Sequence, residues 1–299
     1  PIYQTTTSPN NLTHTGGNFM TDGHGTGFSS KLILNENPGK TEAEIDTIMK
    51  RYMGIDRYIK MNNLPYDGIH HIDMHMKLLD EETLLVGQYP EGVADGPQIE
   101  ANLQYILNNF ETCYGRPYKV VRIPMPPDAY GDYPDDWGDY WTYTNSLIVN
   151  KTVLVPNYSE QYDTTALRIY QEAMPGYNIV GIPCTDIISL SGAIHCITKE
   201  IGVNDPIWIS HAPLYSQTDT SDYLVQAKIQ SAAGIADSYV YWKTASMNDF
   251  ENLPMTAGQN DTFFTSIPAQ AGNEIIQYYI SAKDTYRKTT LKPLTAPEG

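Results

Sequence analysis

Three times in its first two thirds, this 299-residue chain repeats one order of elements: two short strand-like runs, a helix, then a further strand. Residues 16–34 read as two strands around a glycine-rich turn. A helix follows from about 42, with Thr41 and Glu44 spaced as a capping box and Gly54 as its stop. Ile45, Ile48, Met49, Tyr52 and Met53 carry its apolar face at helical spacing. The second copy places strands near 69–79 and 83–89, a helix over about 97–112 and a strand at 118–123. The third has strands over Asn145–Asn150 and Thr152–Asn157 joined at Asn150-Lys151, a helix over about 160–173 and a strand from Tyr177 to Ile182. Helix starts near 41, 96 and 160 recur about 55 to 64 residues apart, a repeat expected of modules arranged around a common centre. A fourth, shorter copy is expected from Ser191.

From about 217 the pattern changes to alternating or aromatic runs: 222–230, 238–245, 261–267 and 274–284. These predict strands without a helix, a small β-sandwich of immunoglobulin-like type resting on strand count. The expected division is therefore 1–214 and 215–299. The Pro-, Asp- and aromatic-rich segment 124–143 reads as a long surface loop, either a lid over a site or a variable insertion. Hydrophobic residues at 41% against 18% charged exclude wholesale disorder, and no apolar run approaches the ~18 residues of a membrane helix. A net charge of −16 argues against nucleic acid and anionic membranes and favours cationic ligands. Three cysteines, Cys113, Cys184 and Cys196, rule out a disulfide scaffold, and the first two read as core residues. The start at Pro1 reads as a processed or truncated product.

The densest chemistry lies in Gly68–Leu79. Read as a strand, it would pack Ile72, Met74, Met76 and Leu78 on one face and present His71, Asp73, His75 and Lys77 on the other. Three uses are open: a solvent-facing polar edge, a metal site from His71, Asp73 and His75, or an acid/base histidine beside a carboxylate that holds a cation. Acid/base chemistry ranks ahead of metal, because ligands at i, i+2 and i+4 on one strand span too far for one ion. Cys196 follows Ser191-Gly192-Ala193-Ile194-His195. A nucleophilic cysteine needs a base or positive charge nearby. His195, next in an extended strand, would point to the opposite face, whereas modules around one centre could bring His71 to Cys196. Gly23–Gly27 reads as a hairpin turn and not a phosphate loop.

Taken together, Thr15–Gly23, His71-Ile72-Asp73, Tyr143–Asn150, Val153–Pro156, Ala173–Tyr177 and Ala193–Thr198 resemble agmatine deiminases, and more closely the Porphyromonas-type peptidylarginine deiminases. The resemblance covers roughly residues 14–212. It implies an α+β pentein fold, a propeller of strand-strand-helix-strand modules that is incomplete in this chain. It implies a guanidinium-hydrolysing enzyme that needs neither metal nor organic cofactor. Cys196 resembles the nucleophile, His71 the general acid/base, Asp73 the carboxylate gripping the guanidinium, and Asn145 the polar residue completing the catalytic group.

The expected substrate is an arginine-containing peptide or protein, giving citrulline and ammonia. The alternatives are agmatine deimination, amidino transfer on the same fold, or a catalytically silent binding module. Three departures bear on this. The family's first modules, with a Trp and a second guanidinium-binding Asp, have no counterpart before Thr15, so a bound N-terminal fragment of the same protein is an expected partner. Gly192-Ala193 stands where agmatine deiminases have Gly-Asn. Gly68 stands where secreted bacterial members carry an aromatic residue. By the same resemblance the protein is expected to be secreted or at the bacterial cell surface.

Overall fold

The computed structural model describes residues 12–199, 201–217, 221–272 and 274–298. Two compact units result: the described residues up to Ala173 with Ile179–Lys199, and Met174–Asn178 with the described residues after 200. This division falls after Lys199, whereas the sequence places it at 214. The reason is a short strand, β10 (Trp208–Ser210), which pairs antiparallel with β11 (Tyr223–Gln230) of the second unit.

In the first unit each module builds a three-stranded sheet. β1 (Met20–Thr21) and β2 (Thr26–Ser30) form an antiparallel hairpin, with Gly23 and Gly25 at φ of 70° and 96° in its turn. A short helix, α1 (Leu32–Asn35), and a longer one, α2 (Glu42–Met53), lead to β3 (Arg57–Met61), which runs parallel to β2. Thr41 and Glu44 make the expected capping box, and Gly54 ends α2 at φ 69°, a conformation that costs glycine little. The second module repeats the scheme with β4 (Met76–Leu78), β5 (Thr83–Gln88), α3 (Gly96–Asn109) and β6 (Lys119–Pro124), β6 again parallel to β5. α3 stops three residues earlier than its apolar spacing predicts, because Phe110 turns extended at φ −136°. β7 (Leu147–Val149), β8 (Thr152–Asn157), α4 (Glu160–Ala173) and β9 (Asn178–Pro183) complete the third, in sheet order β7-β8-β9.

Helix faces pack onto these sheets. Ile99, Leu103 and Ile106 of α3 share one core with Leu84 and Val86 of β5 and with Met74 and Met76. Each such side chain contributes about 1.5–3 kcal/mol by leaving water. Two expectations fail here. The run 69–75 is not a strand, since Ile72–Met74 form a 3₁₀ turn and pairing begins only at Met76. The fourth copy contributes a four-residue helix, α5 (Thr185–Ile188), before it and a 3₁₀ turn over His195–Ile197, with no strand before β10 among the described residues. The 124–143 segment is split. Its tip exposes Tyr130 and Trp137, while Tyr140 and Trp141 are buried in the core.

The second unit holds two four-stranded sheets. One has the order β10-β11-β15-β14, with β14 (Thr256–Ala257) and β15 (Thr262–Ile267). The other has the order β13-β12-β16-β17, with β12 (Ile235–Thr244), β13 (Glu251–Pro254), β16 (Ile276–Asp284) and β17 (Thr289–Lys292). The strand pairings described in it are all antiparallel. Val225, Ala227 and Ile229 alternate with exposed neighbours along β11 and meet Val240, Trp242, Ile280 and Ala282 from the other sheet in one core. No described helix in either unit is long and apolar enough to cross a membrane. The protein is thus a mixed α+β chain of small sheets.

Candidate active site

The site is assembled from irregular connectors of the first unit and not from its strands. Its first piece is the 3₁₀ turn Ile72–Met74. His70 precedes it at φ 56°, a left-handed conformation uncommon for a side-chain-bearing residue. The Ser30 hydroxyl donates to the His70 carbonyl at 2.5 Å. Asn18 Oδ1 accepts from the backbone N–H groups of both Ser30 (2.9 Å) and Ile72 (3.2 Å), which ties this turn to the first module. In 3₁₀ geometry His71 and Asp73 come round to one region. A Cβ on Gly17 would lie 2.7 Å from His71 Nδ1 and 3.0 Å from Asp73 Oδ2, so only glycine lets that backbone approach both.

Leading into β7, Tyr143–Ser146 are fully buried. Tyr170 of α4 donates to the Tyr143 carbonyl at 2.8 Å, and the Tyr143 hydroxyl donates to Asp163 Oδ1 at 2.8 Å. So fixed, Thr144 donates its hydroxyl to the Asp73 carbonyl at 2.8 Å. Asn145 turns to the last piece, the 3₁₀ turn His195–Ile197. Its Oδ1 accepts from the backbone N–H groups of Ala193 (3.1 Å) and Cys196 (3.3 Å), and its Nδ2 donates to Cys196 Sγ at 3.1 Å. Gly192 is required by closeness, because a Cβ there would stand 2.8 Å from Sγ.

All four sequence-predicted residues, Cys196, His71, Asp73 and Asn145, therefore meet. One donor atom each from His71, Asp73 and Cys196 lie within 4.8 Å of one another. Asp73 and Asn145 are fully buried, and Cys196 is exposed. His75, the third member of the metal reading, is excluded from this set. It sits 1% exposed in the interior with neither ring nitrogen hydrogen-bonded, and burial alone presses its pKa down to about 4. His195, expected to face away, does the reverse. Within the 3₁₀ turn its Nδ1 reaches Asp73 Oδ2 at 2.6 Å. The alternation rule that dismissed it applies to strands only.

Charge is unevenly met at the site. Asp73 Oδ1 and His71 Nδ1 are buried without hydrogen-bond partners. Although Cys196 as a residue is exposed, partial desolvation of its sulfur, and next the Asp73 carboxylate 3.8 Å away, push the thiol up to about 11, while the Asn145 hydrogen bond pulls the other way. Burial also holds His71 below its ordinary value, ahead of the opposing pull of Asp73. The resting pair is therefore neutral thiol and neutral imidazole beside an unsatisfied carboxylate oxygen, an arrangement suited to a planar cation. The same three donor atoms lie near enough to close on a thiophilic ion, which would displace the thiol proton.

Known proteins resemble this chain over part of its length. A protein from Vibrio parahaemolyticus named "Putative agmatine deiminase" is 29% identical over 207 residues, covering 62% of this chain and 57% of that protein. A crystal structure from Porphyromonas gingivalis, described as a "Putative Arginine Deiminase", is 27% identical with a TM-score of 0.54, over 60% of this chain and 54% of that one. The agmatine deiminase of Enterococcus faecalis, at 22% identity and TM-score 0.54, shares the fold over 62% of this chain and 56% of its own. The chain thus spans a little over half the length of the relatives it matches. Residues 2–201 match the profile of the Porphyromonas-type peptidyl-arginine deiminases, two thirds of the chain, and the chain belongs to that family.

Proposed function

We propose that this chain carries the nucleophilic half of a guanidinium hydrolase. The observation behind the reading is the meeting of Cys196 Sγ, His71 and the unpartnered Asp73 Oδ1 in one place. A guanidinium carbon is a poor electrophile because its charge is spread over three nitrogens. Asp73 would hold the cation by charge-assisted hydrogen bonds and set its carbon against sulfur. Binding a cation beside a thiol stabilises the thiolate, and neutral His71 accepts the proton. Sulfur adds to carbon, giving a neutral tetrahedral adduct. His71 returns the proton to one amino group, which leaves as ammonia, and a thiouronium remains on Cys196. His71 then takes a proton from water as oxygen adds to that carbon. Carbon–sulfur cleavage releases a urea-type product as the adduct's hydroxyl proton passes through solvent to the ammonia, and the sulfur recovers its proton from His71. The net change is guanidinium plus water to ureido product plus ammonium.

For the substrate, the relatives named agmatine deiminase favour a small alkylguanidine such as agmatine, a better-supported choice than the peptidyl-arginine expected from sequence. The second reading, peptidyl-arginine, draws on the family's own description and on Ala193 in place of the agmatine-type Asn. We further read the three modules as part of a pentein propeller and the second unit as immunoglobulin-like. The test supplies agmatine, free arginine and an arginine peptide in parallel and measures ammonia and the ureido product of each. Cys196→Ser is expected to lower turnover about a thousandfold or more. Wild-type rates in that variant would remove the nucleophile assignment, and exclusive turnover of the peptide would reverse the substrate order.

A further inference from the structure

We infer that His195 is a positioning residue for Asp73, setting the carboxylate that holds the guanidinium; the inference rests on the hydrolase reading above. His195 Nδ1 and Asp73 Oδ2 stand 2.6 Å apart. An ionised carboxylate only accepts, so the ring donates, and the proton resides on Nδ1. This occupies one carboxylate oxygen and leaves the other, Oδ1, buried and open. The carboxylate cannot rotate freely about its bond without losing the ring.

The ring itself is held from behind. The His195 backbone N–H donates to the Asn145 carbonyl at 3.2 Å, and the next N–H, that of Cys196, donates to Asn145 Oδ1. One residue, Asn145, therefore locates both the sulfur and the imidazole, and the imidazole locates the carboxylate. The Sγ to Oδ2 spacing of 3.8 Å is fixed through this linkage. Reactivity by proximity is lost steeply with misplacement of about an ångström, so a ring that locks this spacing acts on the chemistry without touching the reacting carbon. Thr198 closes the turn by donating its hydroxyl to the His195 carbonyl at 3.1 Å. The side chain is 22% exposed, so solvent reaches the imidazole without displacing the Asp73 contact. The groups that face His195 are Asp73 and His71 from the second module, Asn145 from the third, and Cys196 on its own turn.

The test uses the Cys196→Ala chain, which lacks the nucleophile, and measures agmatine affinity by calorimetry with a second substitution at 195. His195→Ala is expected to weaken binding about tenfold or more, the effect of losing a hydrogen bond to a charged group. His195→Asn, whose amide nitrogen overlays Nδ1, is expected to restore most of it. His195→Gln, with its donor one bond farther out, is not. Affinity within twofold of the parent in His195→Ala, or rescue by Gln equal to that by Asn, overturns the role. A second measurement on the unsubstituted chain needs no ligand: ¹⁵N-histidine spectra are expected to show His195 protonated on Nδ1 with a proton protected from exchange. An Nε2-protonated ring would overturn the inference by itself. Failure of the parent to bind agmatine strikes the hydrolase reading instead, and the spectra then decide the His195–Asp73 bond independently.

Discussion

Each unit buries a histidine, and the two are treated in opposite ways. In the second unit His211 has both ring nitrogens engaged, Nδ1 with the Gln226 carbonyl at 2.7 Å and Nε2 with the Tyr278 hydroxyl at 2.8 Å. In the first unit His75 is more deeply buried and neither nitrogen has a hydrogen-bond partner. The same contrast recurs around the reacting groups, where His71 Nδ1 and Asp73 Oδ1 are left open. An unmet interior polar group costs about 1–3 kcal/mol, and the second unit leaves few of them, among them Ser238 Oγ, Trp242 Nε1 and Asp284 Oδ2. The first unit tolerates several, and two of them stand where a ligand would complete them.

The contrast is most sharply broken at glycines. Gly17→Ala would drive a Cβ to 2.7 Å from His71 Nδ1, and activity is expected to fall several hundredfold with little change in the melting temperature of the second unit. Unaltered turnover would mean that the close approach of this backbone is incidental. Next in size is acid sensitivity. His75 binds its proton with a pKa of about 4 when folded and near 6.5 when unfolded, so below pH 6.5 the unfolded chain takes up the extra proton. The contribution of His75 to the first unit is therefore full above about 6.5 and is lost as pH falls toward 4, by about 3 kcal/mol at most. Asp67 and Asp95, raised by burial to about 7 and about 6, act in the opposite direction over the same window. Unfolding measured from pH 7 to 4 should show His75→Leu gaining stability on its parent as pH falls, whereas His211→Leu should be weaker than its parent at every pH. A constant difference between His75→Leu and its parent across this range would remove His75 as a source of acid sensitivity. A smaller effect concerns the resting thiol. With a pKa of about 11, Cys196 should be alkylated by iodoacetamide at pH 7 some tens of times more slowly than free cysteine, read peptide by peptide, with the rate climbing toward pH 11. A rate above that of free cysteine would show a thiolate already present. The smallest is Gly234→Ala in the second unit. It meets nothing within 4 Å but must hold φ 80°, so about 1 kcal/mol of stability and no activity should be lost.

The regular parts of both units were readable from residue order. Thr41, Glu44 and Gly54 delimit α2 because capping and left-handed termination depend on local chemistry alone, and the alternation along Tyr223–Gln230 matches β11. Cys196, His71, Asp73 and Asn145 were found through their resemblance to known deiminases. Their geometry was not readable, because it depends on three turns whose conformation is set by distant partners. Asn18, 54 residues from Ile72, decides that the Ile72–Met74 backbone coils instead of extending. A period-two reading of that run put His75 with the reactive groups and a period-two reading of 193–197 turned His195 away. Both errors have one source, the assumption that these short runs are extended, so that neighbouring side chains point to opposite faces. The signal that was available lay in Gly16-Gly17 and Gly192, small residues beside each chemical run, which mark where backbone must come close to a reactive side chain.

The amide of Asn145 carries one further implication. It offers hydrogen to sulfur with one terminal atom and receives hydrogen from two backbone groups with the other. Aspartate has the same outline, yet it would set a second oxygen against the sulfur and repel the anion on which the reaction depends. One nucleotide separates the two codons. A silent descendant that still folds, still gathers cations, and never turns them over is therefore a single step away from this chain, and a lineage of such binders could arise without any rebuilding of the scaffold.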